Sequence, residues 1–165
     1  MRLTTKGRYG VRAVANLAAA AARDAHGSHG SHGSHGAHGS QDHPVSISQI
    51  ASEEDLSPEF LEQIFFKLKK AGVIRSVRGP KGGFVLNRKP EEISITTILD
   101  AVGEPLYPAP CTCNGAQRCA RQKTCSLAPV WTEFQAVIRD HLAGVSLKDI
   151  LRNRSGDKRQ AARQS

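Results

Sequence analysis

Along the first two dozen positions the apolar residues fall at helical spacing: Val11, Val14, Leu17 and Ala18 lie on one face, and Thr4 or Thr5 can cap a helix that runs to about Ala22. Periodicity then stops. Residues 26–43 are a Gly-Ser-His repeat whose one apolar residue is Ala37; such a segment cannot offset the entropy of ordering and is expected to be a disordered insert. Pattern returns at "VSISQIASEED", where Ser46 and Gln49 have capping-box spacing and Ile47, Ile50 and Ala51 give a short buried face. After a break at Leu56, "SPEFLEQIFFKLKKAG" predicts a helix with Ser57 as its cap, Pro58 at its first position and Gly72 as its terminator. Phe60, Leu61, Ile64, Phe65 and Leu68 form its core stripe, leaving Glu59, Glu62, Gln63, Lys67 and Lys70 on the outer faces.

Beyond Gly72 the period shortens to that of a strand. "VIRSV" and "FVLN" flank "RGPKGG", a hairpin with a glycine-rich, basic tip that includes Arg78 and Lys81. Ser94 caps a further short helix in "ISITTILDAVG". Leu127, Trp131, Phe134, Ile138 and His141 then recur at alternating spacings of four and three, the seam of a helix that packs on another helix. A small domain offers little to bury both Trp131 and Phe134, so the partner is expected to be a second copy of the chain. Packing back on the N-terminal helix is the alternative. The resulting fold class is mainly α with a small β-hairpin: a winged helix-turn-helix domain plus a long C-terminal dimerisation helix. The expected organisation is a DNA-binding domain over 1–103, a cysteine-rich loop over 104–126, the dimerisation helix and a short following helix over 127–151, and a disordered basic tail over 152–165.

Charge sharpens this picture. The 165 residues carry a formal net charge of +8, which favours an anionic partner. About half of that excess lies in the tail, where Arg152, Arg154, Lys158, Arg159 and Arg163 face only Asp157. Taken singly, the outer face of 57–71 would be an ordinary solvated helix surface and "RGPKGG" an ordinary loop. Their order is that of a winged helix, in which the second helix of the pair enters the major groove and the wing reaches phosphates or the minor groove. Double-stranded DNA is therefore the expected partner, with Glu59, Glu62, Gln63, Lys67, Arg78 and Lys81 as the expected contact residues, and a two-fold dimer fits a palindromic operator. The apolar-leaning N-terminus is interrupted by Arg12 and Asn16 and suits neither a membrane span nor a signal segment, so a cytoplasmic protein without a membrane partner is expected.

All four cysteines lie in "CTCNGAQRCARQKTC", residues 111–125. In a reducing compartment such clustering points to metal ligation or a redox switch rather than structural disulfides. Zinc is the weaker reading, because Cys113, Cys119 and Cys125 are separated by five-residue gaps where structural zinc sites pair ligands more closely. Arg118, Arg121 and Lys123 could lower nearby thiol pKa values and support a cluster-free thiol switch. Six of the seven histidines sit in the insert, which could bind nickel or zinc whatever its purpose.

Together, "MRLTTKGRYGVRA", "FLEQIFFKLKKAGVI", "SVRGPKGGF" and the C-x5-C-x5-C spacing closely resemble the IscR-like (BadM-type) winged helix-turn-helix regulators that carry iron-sulfur clusters. The likeness spans about 1–153 without the insert. It implies that Glu62 and Gln63 read base edges, that Arg78 is the wing arginine of the minor groove, and that Cys113, Cys119 and Cys125 ligate a 2Fe-2S or 4Fe-4S cluster. It also implies a regulator whose operator binding follows cluster supply, iron, oxygen or nitric oxide, and not an enzyme. Three positions depart from the pattern. Ala128 stands where a histidine is expected as the fourth ligand, Arg8 where nitric-oxide-sensing relatives have an acidic residue, and Glu59 where a small hydroxyl residue is usual. Cys111 is the nearest candidate for the fourth ligand; the alternatives are a water or small thiol and a histidine of the insert. The rival functions are a thiol-redox or zinc-dependent repressor and an iron-sulfur electron-transfer component.

Overall fold

The computed structural model describes residues 3–25, 44–80, 82–113 and 119–153, with the backbone alone for 21–25. The expectations for the insert 26–43, for Lys81 and for most of the basic tail lie outside these residues. The described chain forms α1 (Thr5–Ala25), α2 (Ile47–Glu54), α3 (Pro58–Lys70), β1 (Ile74–Val77), β2 (Gly83–Leu86), α4 (Ile95–Val102) and α5 (Ala128–Gly144). Single 3-10 turns lie at Pro90–Glu92 and Pro110–Thr112, and a helical segment occupies 147–153. The fold is thus mainly α with one small antiparallel sheet, as the periodicity predicts.

Local signals set the boundaries of the helix-turn-helix. Ser46 Oγ accepts from Gln49 N at 3.1 Å. The reciprocal half of the expected capping box is replaced, because the Gln49 amide donates to Glu53 Oε1 instead. α2 stops at Asp55, whose φ of 53° is left-handed, a conformation that short polar side chains tolerate. Ser57 Oγ then accepts from Phe60 N at 3.2 Å, with Pro58 at the first helical position of α3.

Leu61, Ile64, Phe65 and Leu68 of α3 are almost fully buried against Ala13, Val14, Leu17 and Ala18 of α1, with Ile50 of α2 and Ile98 of α4. Phe60 is only half-buried and meets Tyr9 edge-on. β1 and β2 pair in register Ile74 with Leu86 through Val77 with Gly83. Val45 extends this sheet by exchanging two backbone hydrogen bonds with Phe84, at 3.0 and 2.9 Å. Phe84 in turn packs edge-on against Phe65, with ring centroids 4.9 Å apart. The wing is therefore fixed to the core beneath α3.

Two buried carboxylates tie distant elements together. Glu54 accepts from Asn16 Nδ2 at 2.6 Å and pairs with the Arg12 guanidinium, joining α2 to α1. Glu104, just beyond α4, accepts from the Thr4 amide at 2.8 Å and from the Thr4 hydroxyl, holding the residue whose Oγ1 caps α1 by accepting from Gly7 N at 3.2 Å. Gly7 makes this possible, since a Cβ there would stand 2.5 Å from Glu104 Oε2.

The C-terminal helix lies chiefly against α4 and the 3-10 turn Pro110–Thr112, and its Leu142 packs on the cluster of Ile95, Leu99 and Leu106 that Val11 of α1 also meets. α5 lies against α4 through Arg139, which forms a two-pronged pair with Asp100 at 3.2 and 2.8 Å, and through Thr96, which donates to the Arg139 carbonyl. The following chain is what returns to the core. Ile95 N donates to Val145 O and Leu147 N to Ile93 O, leaving Leu147 fully buried with Ile150 and Leu151 packed on the main cluster.

Candidate nucleic-acid interface and thiol segment

With Leu61, Ile64, Phe65 and Leu68 turned inward, helical geometry leaves Glu59, Glu62, Gln63, Phe66, Lys69 and Lys70 exposed on the opposite side of α3. Glu59, Glu62 and Gln63 form adjacent turns at its N-terminal end, where a groove-inserted helix meets base edges. Lys67 has a different place from the one its outer-face assignment implies. It is half-buried, and its Nζ donates to the Val102 carbonyl at 3.0 Å, at the C-terminus of α4. A cation there offsets the partial negative charge of the helix end.

Arg78 is exposed directly after β1. The next residue, Gly79, has φ of 125°, a backbone state that a side chain would strain, so the tip folds back sharply behind the arginine. Arg75, Arg88 and Lys89 are further exposed cations of the hairpin and its exit. The described surface of α3 and the wing thus pairs a polar, hydrogen-bonding helix face with a cationic hairpin.

Sequence reasoning missed two residues here. Phe66 belongs neither to the predicted core stripe nor to the predicted outer face, yet it is 69% exposed among the polar residues of α3. The signal was available, because Phe65 completes the buried stripe and its neighbour must then face away. Glu104 falls in the predicted loop, where pattern gives it no role. Its link to Thr4 joins residues far apart in sequence, which periodicity cannot show.

The cysteines lie between α4 and α5, and all four are free thiols. Cys111 is buried in the 3-10 turn Pro110–Thr112, whereas Cys113, Cys119 and Cys125 are half-exposed. The turn packs on α5, and Thr112 closes it by donating to Ala109 O at 2.8 Å. Upstream, the Leu106 carbonyl accepts from Gln135 of α5 at 3.1 Å. Three accessible thiols on one short segment suit the ligand chemistry of an iron-sulfur cluster. Among the described residues no three metal-ligating side chains already converge; the chain between Cys113 and Cys119 lies outside those residues. Ala128 is buried in the first turn of α5, and Arg8 is exposed with its guanidinium 5.8 Å from the Tyr9 ring.

α5 and its N-cap present Leu127, Val130, Trp131, Phe134 and Val137 outward. The expected seam is partly redrawn: Val130 and Val137 join the stripe, while Ile138 is half-buried. A helical stripe of this width is broader than the two-position seam of a coiled coil. Trp131 and Phe134 meet edge-on at 6.4 Å. Among the described residues no helix is long and apolar enough to cross a membrane.

Comparison with known proteins places these features in context. Residues 35–153 match the family described as Rrf2, iron-dependent transcriptional regulator. The HTH-type transcriptional regulator IscR of Aliivibrio salmonicida is 33% identical over 151 residues, covering 92% of this chain and 77% of that protein. Among solved structures, T. potens IscR superposes with a TM-score of 0.66 at 28% identity, over 93% of this chain and 88% of that one. The oxidized form of Staphylococcus aureus CymR gives a TM-score of 0.62 at 29% identity, over 92% and 96% of the two chains.

Proposed function

The chain belongs to the Rrf2 family of transcriptional regulators, and from that premise we propose that it is a homodimeric operator-binding protein controlled by an iron-sulfur cluster on its thiol segment. The observation that carries the DNA-binding part is the pairing of the exposed Glu59, Glu62 and Gln63 on α3 with the exposed Arg78 on the wing. Carboxylates can accept from cytosine amino groups and Gln63 can pair with an adenine edge. Arg78 suits the narrow, negative minor groove. Lys81, three residues after Arg78 in the sequence, is a further phosphate contact in this reading. The apolar stripe of α5 supports a dimer that would present two such helices to a palindromic site.

Cys113, Cys119 and Cys125 would hold the cluster, with Cys111 as the candidate fourth ligand. Bound there, a cluster would supply a group whose charge and integrity respond to iron, oxygen or nitric oxide. The chain's own residues give the segment a route to the rest of the molecule. Glu104 anchors its start to α1, and Gln135 and the 3-10 turn anchor it to α5, so a change in how the thiols are held bears on both the helix beneath the DNA-binding unit and the dimer helix.

A cluster-free thiol switch is the second reading. It is favoured by four free thiols and by the likeness to a CymR solved in an oxidized form. Anaerobic purification separates the two: a cluster protein carries iron and sulfide with visible absorption, and a thiol switch carries neither. An electron-transfer role is separated by duplex binding. A regulator shows a preferred site and a steep logarithmic salt dependence, and a redox carrier shows no site preference.

A further inference from the structure

We propose that Phe66 is a base-reading residue that contacts the 5-methyl group of a thymine in the major groove. This rests on the reading that α3 is the groove-inserted helix, and it adds an apolar determinant to the polar ones. The ring lies two helical turns beyond Glu59 and one turn beyond the Glu62–Gln63 pair, which puts it at the centre of the outward face rather than on its margin. It is the most exposed of the large hydrophobic residues described. Its neighbour Phe65 is almost fully buried and packs on Phe84, so the pair cannot exchange roles without emptying the core.

The surroundings decide which occupant the ring suits. On α5 the exposed apolar residues are contiguous, as a protein interface requires. Phe66 stands alone, framed by Glu62, Gln63, Lys69 and Lys70, a setting that matches a surface polar nearly everywhere and apolar at one point. The major groove is such a surface: its base edges offer hydrogen-bond donors and acceptors, and its one apolar group is the thymine methyl. A phenyl ring has no hydrogen bond to give to the rest.

The test uses the full-length protein, the duplex it selects from a randomised pool, and copies of that duplex with deoxyuridine replacing thymidine one position at a time. Loss of one methyl contact should weaken the parent protein about fourfold at one thymine of each half-site. Phe66→Ala should bind the thymidine and deoxyuridine duplexes equally, and Phe66→Leu should keep most of the difference. The inference is overturned if no deoxyuridine position costs the parent affinity, or if Phe66→Ala retains the full penalty. It is equally overturned if Phe66→Ala changes only the oligomeric state in the absence of DNA, which would make the ring a protein contact. Failure of the underlying reading looks different: the parent selects no sequence at all, or Gln63→Ala leaves selection unchanged, and the present inference falls with it.

Discussion

Gln63 and Arg78 lie on different elements and suit different parts of a duplex: one on a helix face suited to base edges, the other on a hairpin suited to the backbone and minor groove. Gln63→Ala should therefore weaken a selected site by about 1–3 kcal/mol and leave random duplexes nearly unaffected, whereas Arg78→Ala should weaken both. Equal losses on both duplexes for Gln63→Ala would remove it from base reading. Lys67 makes the opposite prediction. Because its ammonium caps α4 at Val102, Lys67→Met should cost about 0.3–1 kcal/mol of folding stability and leave the salt slope of duplex binding unchanged. A slope lower by about one would show that Lys67 contacts a phosphate after all. Lys67 was legible in the sequence only as a cation on a helix. Its partner is a backbone carbonyl 35 residues away, and no local pattern encodes such a contact.

Helices α2, α3 and α4 could be read because their punctuation is local: Ser46, Ser57 and Ser94 each accept from an amide three residues ahead. The hairpin was legible for the same reason, since the change of period and the glycines around Arg78 lie within one short stretch. What escaped was tertiary. The seam of α5 points to a partner helix but not to which flank of α5 lies on α4; that flank carries Leu142, packed on the cluster of Ile95, Leu99 and Leu106, and Arg139, paired with Asp100. With Leu127, Val130, Trp131, Phe134 and Val137 outward, replacing Trp131 and Phe134 together by glutamate should convert a dimer to a monomer in sedimentation, with the helical content retained. A dimer that survives the double change would place the interface elsewhere. The segment after α5 carries its own pH signature. Asp149 accepts from Ser146 N and Oγ at 3.0 and 2.6 Å, and these bonds hold its carboxyl below the ordinary aspartate range. A lowered carboxylate stabilises the fold above that range, and the contribution disappears as pH falls through the lowered value. The stability difference between the parent and Asp149→Asn should therefore be constant near neutrality and shrink in acid. A difference that persists unchanged in acid would refute the assignment.

At the scale of the whole molecule, three parts meet through a few named contacts: α3 with the wing, α5 with its apolar outer stripe, and a thiol segment whose approach is pinned to the start of α1 and to α5. That arrangement could be anticipated in outline from the cysteine spacing and the order of elements, but the pins themselves, Glu104 to Thr4 and Gln135 to Leu106, emerge only in three dimensions. The fourth-ligand question also changes with the structure. Cys111 is the nearest additional thiol, yet it is buried while the other three are half-exposed. The most direct test is anaerobic purification of the parent, Cys113→Ala and Cys111→Ala, with iron, visible absorption and affinity for the selected duplex measured on each. The account predicts an iron-loaded, coloured parent, loss of iron and colour in Cys113→Ala together with altered duplex affinity, and a changed spectrum in Cys111→Ala if that thiol is the fourth ligand. A parent free of iron and sulfide under strictly anaerobic conditions, with duplex affinity set only by thiol oxidation, would contradict it.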